Sequence, residues 1–269
     1  MRVLDWDSWT AGADGSARPS AVTVGVFDGV HIGHRALIGR ILSRAGVLDP
    51  TVVTFRQNPK ELLHPETFHG AVLTLRQKLE SLEESGIGTC VLIDFSGNFS
   101  KLTGTEFLGA LADKGGARYL AVGSDFRCGH RLSTDSGSVR LIGASLNVET
   151  EIVDPVLYHG RAVSSSRIRR AVQEGRMPDA FAMLDRPYVL DLRDLVPSNE
   201  GGAFKYDGIR QVLPPPGVYE AEASTPGGWK KTGLGVLSGE SARIEAAGSE
   251  PPRFLRFLDT RLATQRQGV

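Results

Sequence analysis

The sequence predicts an α/β protein in which a doubly wound parallel sheet forms a first domain and a smaller β-rich C-terminal domain follows it. Apolar runs of strand length alternate with helical patterns up to about residue 184, which is typical of a parallel sheet with helices on both faces. After residue 187, short alternating runs separated by glycine and proline replace the helical patterns. Polar, glycine-containing segments follow several predicted strands, as they do at the ligand-binding edge of such sheets.

The elements of the first domain are predicted from the period of their apolar residues. A glycine closes several of the helical patterns, as Gly175 does, because glycine readily adopts the left-handed conformation after a helix. The strands are expected at residues 21–27, 51–55, 90–95, 119–122 and 146–153, and the helices at residues 34–45, 75–85, 105–114, 137–144 and 166–174.

The C-terminal part has a different pattern. Residues 197–202, PSNEGG, are interpreted as a linker or long loop, and residues 214–217, PPPG, as a rigid turn. The predicted domains are therefore residues 1–186 and residues 187–269, the second at the lower end of size for independent stability. Short strands of this second domain are expected at residues 218–223, 233–237 and 242–246.

Composition argues against several classes of protein. The 269 residues include 31 basic and 31 acidic side chains, so no global positive field favours nucleic acid or a membrane surface. No apolar run reaches the length of a membrane span, and the first twenty residues lack the apolar region of a signal peptide. Two distant cysteines, Cys90 and Cys128, fit a reducing cytoplasm and no disulfide framework. No histidine–carboxylate spacing predicts a metal site.

The segment VGVFDGVHIGH, residues 24–34, carries the strongest functional signal. A buried strand stops at its Asp-Gly pair, a helical pattern follows, and His31 and His34 lie between them. A helix N-terminus favours an anion such as phosphate, and Gly25 and Gly29 permit close approach of the backbone. The alternative is two ordinary histidines at a helix start, one of them capping it. The context favours chemistry on a nucleoside triphosphate.

The segment SSSRIRR, residues 164–170, also precedes a predicted helix. Considered alone, a serine caps this helix and the arginines form a solvated basic face. Arginine at a helix start opposes the helix dipole, however, and this placement makes sense where an anion binds. Three hydroxyls, free N–H groups and clustered arginines together predict a polyphosphate site.

Two further loops follow predicted strands. Residues 123–129, GSDFRCG, are either a polar loop with an Asp–Arg pair or a substrate loop in which Phe126 stacks on a planar ring. Residues 54–59, TFRQNP, lie at the same predicted edge, where substrate contacts gather. Four other histidines lie in polar, turn-rich stretches, which favours the interpretation that they have no direct role in the chemistry: His64, His69, His130 and His159.

These four segments, in this order, resemble the adenylyltransferase half of the bacterial FAD synthetases, the bifunctional riboflavin kinase/FMN adenylyltransferase family. The family motifs are Gly-x-Phe-Asp-Gly-Val-His-x-Gly-His, Val-Gly-x-Asp-Phe-x-Phe-Gly and Ser-Ser-Thr-x-Ile-Arg. They match residues 25–34, 122–129 and 163–169, and Leu73-Thr74 with Lys78 fits a further family pattern. The resemblance covers about residues 20–188.

The chain departs from the family pattern at several positions. Gln57-Asn58 stand where the family often has Pro-His, Cys128 replaces an aromatic residue, and Ser166 replaces threonine. The family's Gly-Arg-x-Leu-Gly-Phe-Pro-Thr-Ala-Asn motif, which holds ATP and Mg²⁺ for flavin phosphorylation, is absent between Tyr188 and Pro214. The tail also stops short of a full kinase domain, and we interpret it as a degenerate, non-catalytic kinase domain.

The resemblance implies transfer of AMP from ATP to FMN, giving FAD and pyrophosphate, with Mg²⁺ carried by the ATP. The implied catalytic residues are His31, His34 and Arg169. The implied ATP-binding residues are Gly25, Val26, Phe27, Asp28, His31, Gly33, His34, Gly123, Ser164, Ser165, Ser166 and Arg169. The implied FMN-binding residues are Asn58, Asp125, Phe126 and Arg127.

Three other interpretations are open at this point. They are a bifunctional kinase and synthetase, a nucleotidyltransferase for another phosphorylated acceptor such as phosphopantetheine or nicotinate mononucleotide, and a non-catalytic flavin- or nucleotide-binding regulator. The missing Pro-Thr-Ala-Asn argues against the first, the flavin-type loop at residues 123–127 against the second, and the intact His-Ile-Gly-His against the third. The oligomeric state, the role of the C-terminal domain and the source of FMN are not specified by the sequence.

Overall fold

The chain divides into two compact units and passes between them three times. The first unit comprises Met1–Pro65 and Lys78–Ala162, and the second comprises Glu66–Gln77 and Val163–Val269. The computed structural model describes residues 1–12, 18–95, 99–238, 240–245 and 250–261. Residues 163–186 therefore belong to the second compact unit. The boundary predicted from the sequence after residue 186 separates two functional domains rather than two compact units, and it stays a prediction.

A parallel sheet organises the first unit. The strands of this unit are β1 (Arg2–Asp5), β2 (Ser20–Val24), β3 (Asp49–Phe55), β4 (Thr89–Ile93), β5 (Ala117–Gly123), β6 (Arg127–Cys128), β7 (Thr134–Asp135), β8 (Glu149–Val153), β9 (Leu157–Tyr158) and β10 (Arg161–Ala162). Six of them form a sheet in the order β1-β4-β3-β2-β5-β8, in which every neighbouring pair is parallel. The doubly wound fold class is confirmed.

The helices are α1 (Trp6–Thr10), α2 (Ile32–Leu42), α3 (Pro59–Leu63), α4 (Leu75–Glu84), α5 (Gly104–Asp113), α6 (Ser136–Ser145), α7 (Ser165–Gln173) and α8 (Met177–Leu184). Helices α7 and α8 belong to the second unit, and α4 has its first turn among second-unit residues and the rest among first-unit residues. Among the residues that the structure describes, no helix is long and apolar enough to cross a membrane.

Two inner strands of the parallel sheet, β2 and β4, are buried along their whole length. Every residue of β2 and of β4 is buried, as expected of strands with helices on both faces. The first unit also includes an N-terminal strand and helix that the sequence did not predict. Strand β1 pairs with β4, and Trp6 of α1 stacks on Phe107 with 5.4 Å between ring centroids.

An antiparallel sheet organises the second unit. Its strands are β11 (Val189–Asp191), β12 (Ser198–Glu200), β13 (Ala203–Tyr206), β14 (Gly217–Thr225), β15 (Gly228–Leu237), β16 (Ser241–Glu245) and β17 (Phe254–Arg261). They form one sheet in the order β11-β17-β14-β15-β16-β13-β12. Every ladder in it is antiparallel, so the β-rich character predicted for this region is confirmed.

A buried polar network fixes residues 66–77 within the second unit. The Asp191 carboxylate accepts a hydrogen bond from Thr74 Oγ1 at 2.9 Å and pairs with Arg193 at 2.7 Å. Gln211 Nε2 donates to the carbonyl of Val72 at 3.0 Å. Because buried polar groups cost stability when they lack partners, this reciprocal satisfaction lets a loop segment pack beside the sheet.

The segment at residues 197–202 is part of the sheet, so its interpretation as a linker or loop was wrong. Strand β12 pairs with β13 in register Asn199 to Phe204. The turn between them contains Gly201 and Gly202, whose φ angles are 62° and 89°. Both values lie in the left-handed region that glycine tolerates, so the two glycines form a hairpin turn rather than a flexible connection.

Candidate active site

The candidate site lies at the carboxyl ends of β2 and β5, where the strand order of the parallel sheet reverses. From β2 the chain proceeds outward to β3 and β4 on one side, and β5 and β8 lie on the other side of β2. Because β2 and β5 are parallel neighbours, the segments that follow them leave the sheet at the same edge. Ligands of open α/β sheets bind at such a switch point.

The segment from residue 25 to residue 31 leaves β2 in a tightly constrained conformation. Strand β2 ends at Val24, three residues before the predicted end, because Phe27 has a φ of 51°. Val30 also has a positive φ, 40°, and both side chains are fully buried. Such backbone angles are unfavourable for these residue types and persist only where the surroundings hold them. The loop is therefore held by its packing rather than by intrinsic preference.

Gly25 and Gly29 are required in this loop for different structural reasons, and Asp28 is buried between them. Gly25 continues the strand pairing by donating to the carbonyl of Val53 at 3.1 Å, and a Cβ there would lie 3.2 Å from the ring of Phe27. Gly29 has a φ of 102°, which requires glycine. Asp28, between them, is 5 % exposed.

His31 and His34 form one compact unit at the start of α2. The helix begins at Ile32, so His31 is its N-cap, and His31 Nδ1 accepts a hydrogen bond from the backbone N–H of His34 at 3.3 Å. The two rings stack with 3.6 Å between centroids and 15° between planes. Because Nδ1 accepts, a neutral His31 carries its proton on Nε2 and is a donor there. The capping alternative is thus confirmed for His31, and the cap together with the ring stacking holds the two side chains in one arrangement.

Lys78 lies beneath this loop as a buried cation. Its Nζ donates to the carbonyl of Phe55 at 2.6 Å and lies 3.4 Å from the carbonyl of Val26 and from Thr54 Oγ1. Burial lowers the pKa of Lys78 to about 8, and the nearby charge of Asp28 opposes that shift. The family pattern at residue 78 was the sequence signal for this residue, but it indicated no role.

The loop after β5 contains the predicted flavin contacts. Ser124 N donates to the carbonyl of Val153 at 3.1 Å, and Phe126 N donates to that of Gly123 at 3.0 Å. Asp125 and Arg127 are exposed, whereas Phe126 is half-buried against the hydrophobic core. The first two side chains are thus accessible to a ligand, and part of the Phe126 side chain packs against the core.

The loop after β3 places Asn58 at a helix start. Asn58 caps α3, and its side-chain oxygen accepts a hydrogen bond from Lys60 N at 3.1 Å. Arg56, which precedes it, forms ion pairs with Asp5 and with Asp94. Asp5 is the last residue of β1 and Asp94 directly follows β4, so one guanidinium group ties together the carboxyl ends of three strands, a role that the sequence did not indicate.

The serine and arginine cluster belongs to the second unit. Ser164 caps α7, and its hydroxyl accepts a hydrogen bond from Arg167 N at 3.3 Å. Arg169 donates to Ser166 Oγ at 3.3 Å, and its guanidinium carbon lies 5.3 Å from the ring centroid of Phe68. The predicted capping is confirmed. The first turn of α7 contains no acidic residue, so the dipole there is not neutralised by the helix itself.

Within the described part of the chain, no group of three or more histidine, cysteine or acidic residues is arranged to hold a metal ion. Both cysteines are free thiols and buried. Burial raises the pKa of each, Cys90 and Cys128, to about 11. Neither is therefore a reactive thiolate at neutral pH.

Comparison with known proteins gives consistent matches. A sequence model described as FAD synthetase matches residues 14–167. The bifunctional riboflavin kinase/FMN adenylyltransferase of Escherichia coli K12 is 30% identical over 210 residues, 75% of this chain and 67% of that protein. The protein of the same description from Bacillus subtilis is 26% identical over 220 residues, 77% of this chain and 68% of its own length.

A solved structure has the same fold along almost the whole chain. It is described as a macrolide-efflux protein from Streptococcus pneumoniae, and it superposes with a TM-score of 0.82 over 97% of this chain and 91% of its own. The two sequences are 22% identical. At that identity the likeness concerns the fold, and it supports the combination of a parallel and an antiparallel sheet in one chain.

Proposed function

The chain belongs to the FAD synthetase family, and on that premise we propose that it transfers AMP from ATP to FMN, producing FAD and pyrophosphate. The observation that carries the proposal is the family match over residues 14–167. It spans the switch point of the parallel sheet, where His31 caps a helix and stacks on His34 in its first turn. A preorganised pair of donors at a helix N-terminus suits a phosphate in transfer.

The chemistry of the proposed reaction demands positioning more than proton transfer. The nucleophile is the FMN phosphate, which is already anionic at neutral pH, so no strong general base is required. An oxygen of that phosphate forms a bond to the α-phosphorus of ATP as the bond to pyrophosphate breaks. In this proposal His31 and His34 contact the ATP phosphates and stabilise the charge that grows on the α-phosphate. In this proposal the backbone groups of residues 25–28, in the loop, and of Gly33, in the first turn of α2, contact the nucleotide.

The leaving group is assigned to the serine and arginine cluster. In this proposal Ser164, Ser165 and Ser166 with Arg169 bind the β- and γ-phosphates. Support comes from the N-terminus of α7, which has hydroxyls and guanidinium groups and no acidic residue in its first turn. Mg²⁺ arrives with ATP as part of the substrate and neutralises phosphate charge during transfer.

The flavin side of the proposed site is assigned to two loops. Asn58 after β3 and residues 125–127 after β5 follow strands that end at the edge from which the His31 loop leaves the sheet. In this proposal Gly123, the last residue of β5, contacts the nucleotide. The exposed Asp125 and Arg127 are suited to polar groups of FMN, and half-buried Phe126 to its planar ring system.

We further propose that riboflavin kinase activity is absent. The support is the lack of a Pro-Thr-Ala-Asn motif between residues 188 and 214. Small-molecule substrates are the partners of the proposed reaction, and the balanced charge of the chain offers no general field for nucleic acid. Cytoplasmic location stays a prediction that rests on two free, buried cysteines.

The experiment that tests the function uses the purified full chain with Mg-ATP and FMN. We expect FAD and pyrophosphate to accumulate in equal amounts, measured by chromatography of the flavins and by a coupled pyrophosphate assay. Phosphopantetheine and nicotinate mononucleotide serve as alternative acceptors. Pyrophosphate release with one of these acceptors but not with FMN would contradict the proposal.

A further inference from the structure

We propose that Lys78 is a positioning residue for adenylyl transfer, which holds the carboxyl ends of β2 and β3 and so fixes the loop that carries the two histidines. This inference rests on the proposed function. Lys78 lies on α4, outside the segments to which the proposed mechanism assigns substrate contacts, and it is 7 % exposed. It acts through the loop rather than on the substrate.

The hydrogen bonds around Lys78 connect two strand ends. Lys78 Nζ donates to the Phe55 carbonyl at 2.6 Å and is within 3.4 Å of Thr54 Oγ1. The Thr54 hydroxyl in turn donates to the Val26 carbonyl at 3.0 Å, and the same carbonyl lies 3.4 Å from Lys78 Nζ. The ammonium group and the hydroxyl therefore form a chain of donors from α4 through β3 to the first loop residues after β2.

The loop needs such a restraint because its conformation is unfavourable in isolation. Phe27, which directly follows the Val26 carbonyl, and Val30, later in the same loop, have φ angles of 51° and 40°. Each residue held in this region costs on the order of 1–3 kcal/mol, which the surrounding structure must offset. Loss of the hydrogen bonds from Lys78 Nζ permits the loop to relax, and the stacked His31–His34 pair would shift with the loop.

The charged groups around Lys78 are consistent with a structural cation at neutral pH. The charged or titratable groups that act on it are Asp28, from the loop itself, and Cys90, from β4. Asp28 is 5 % exposed and Cys90 is fully buried. Because burial raises the pKa of the Cys90 thiol to about 11, Asp28 is the partner that balances the ammonium at neutral pH.

The principal test is Lys78→Met, which keeps the length of the side chain and removes its donors. We expect kcat to fall by about 10²-fold, since a displacement of about 1 Å of a positioned group costs that much. The dissociation constant for Mg-ATP, measured by calorimetry without FMN, should change by less than about threefold, since ground-state binding is not the lost interaction.

Two matched controls separate positioning from general destabilisation. Leu82→Ala removes a fully buried side chain of the same helix, so we expect a lower melting temperature with kcat unchanged in the folded enzyme. Lys114→Met removes an exposed lysine after α5 and should change neither quantity. A second variant, Thr54→Val, keeps the shape of the fully buried side chain and removes the hydroxyl that links Lys78 to Val26.

The outcomes are distinguishable from failure of the proposed function. If the unsubstituted chain makes no FAD, the proposed function fails before any variant is compared. If it makes FAD, a kcat loss in Lys78→Met with preserved Mg-ATP binding supports the inference. Unchanged kcat, or a loss of Mg-ATP affinity of about tenfold or more, overturns it, since the second result would mean direct substrate contact. Should Lys78→Met fail to fold, Thr54→Val decides by the same two criteria.

Discussion

The carboxyl edge of the parallel sheet and the antiparallel sheet place their polar groups under different constraints. At the parallel edge, the strained residues Phe27 and Val30 precede two histidines whose stacked rings have 3.6 Å between their centroids. In the antiparallel sheet, Asp191 and Arg193 satisfy each other and the segment at residues 66–77. Backbone strain thus coincides with the predicted site at the parallel edge, whereas the polar groups of the antiparallel sheet complete one another, as structural groups do.

The chain should adenylylate FMN but should not phosphorylate riboflavin at all. With riboflavin and Mg-ATP, the chain should produce no FMN above a control without enzyme, because no Pro-Thr-Ala-Asn segment holds Mg-ATP between residues 188 and 214. The measurement is chromatographic separation of flavins over time, with FMN and Mg-ATP as the positive control. Steady accumulation of FMN would assign chemistry to the antiparallel sheet and break the comparison.

A polar group of the antiparallel sheet should affect stability rather than rate. Asp191→Ala leaves Arg193, 10% exposed in its side chain, without its buried partner, and such losses cost about 3–5 kcal/mol. We expect that loss in urea unfolding, with kcat of the folded protein preserved. Asp191→Ala combined with Arg193→Met should recover part of it. A kcat loss comparable to that of a histidine variant would contradict the structural role.

A polar group at the carboxyl edge of the parallel sheet should affect the rate of the reaction rather than stability. His34→Ala should lower kcat by about 10²–10³-fold, the usual effect of removing one preorganised donor, with little change in melting temperature. The control is His159→Asn, which tolerates the φ of 50° at that turn and should leave turnover unchanged. Near-normal turnover by folded His34→Ala would remove His34 from the catalytic residues.

Arg169→Ala should have a smaller, substrate-selective effect. Loss of a charged hydrogen-bond donor near a polyphosphate typically costs about 1.5–3 kcal/mol, so the KM for ATP should rise by about tenfold or more while that for FMN stays the same. Its neighbour provides the control, because Arg170 is exposed and pairs with Glu174 on the same helix. A defect confined to FMN would show that the polyphosphate is placed wrongly.

The smallest expected effect is the contribution of Lys78 to the pH dependence of the free energy of unfolding. Its folded pKa, about 8, lies below the unfolded value of 10.5, so the unfolded chain binds more protons between these values and stability rises with pH there. Between pH 8 and pH 9 the unsubstituted chain should gain about 1 kcal/mol relative to Lys78→Met. Urea unfolding at both pH values measures it. An equal response of both proteins would mean that Lys78 is not a buried ammonium group.

The sequence predicted the parallel edge well because its signals are local. A strand, an Asp-Gly pair and a histidine pair lie within eleven residues, 24–34, and the structure places them at the switch point of the sheet. The errors are also local: helix α2 begins at Ile32 rather than at His34. Apolar period alone does not show a backbone that turns through positive φ before the helix starts.

The sequence did not predict the features that depend on distant partners. Strand β1 contains only four residues and exists because β4 pairs with it, almost ninety positions later. Strand β12, Ser-Asn-Glu, has no apolar face and is a strand only because β13 pairs with it. The roles of Lys78 and Arg56 come from carbonyls and carboxylates of other strands. Tertiary pairing overrides intrinsic preference in each case.

The burial of Gln211 against residue 72 affects how the chain is made. The two positions are 139 residues apart, and at about 5–20 residues per second of synthesis the second is made roughly 7 to 28 s after the first. For most of that interval residues 66–77 have neither Asp191 nor Gln211 to bind, since Asp191 precedes Gln211 by only twenty residues. The strands that precede and follow this segment can already pair, so the parallel sheet can form on the ribosome while the inserted segment waits for the C-terminal strands.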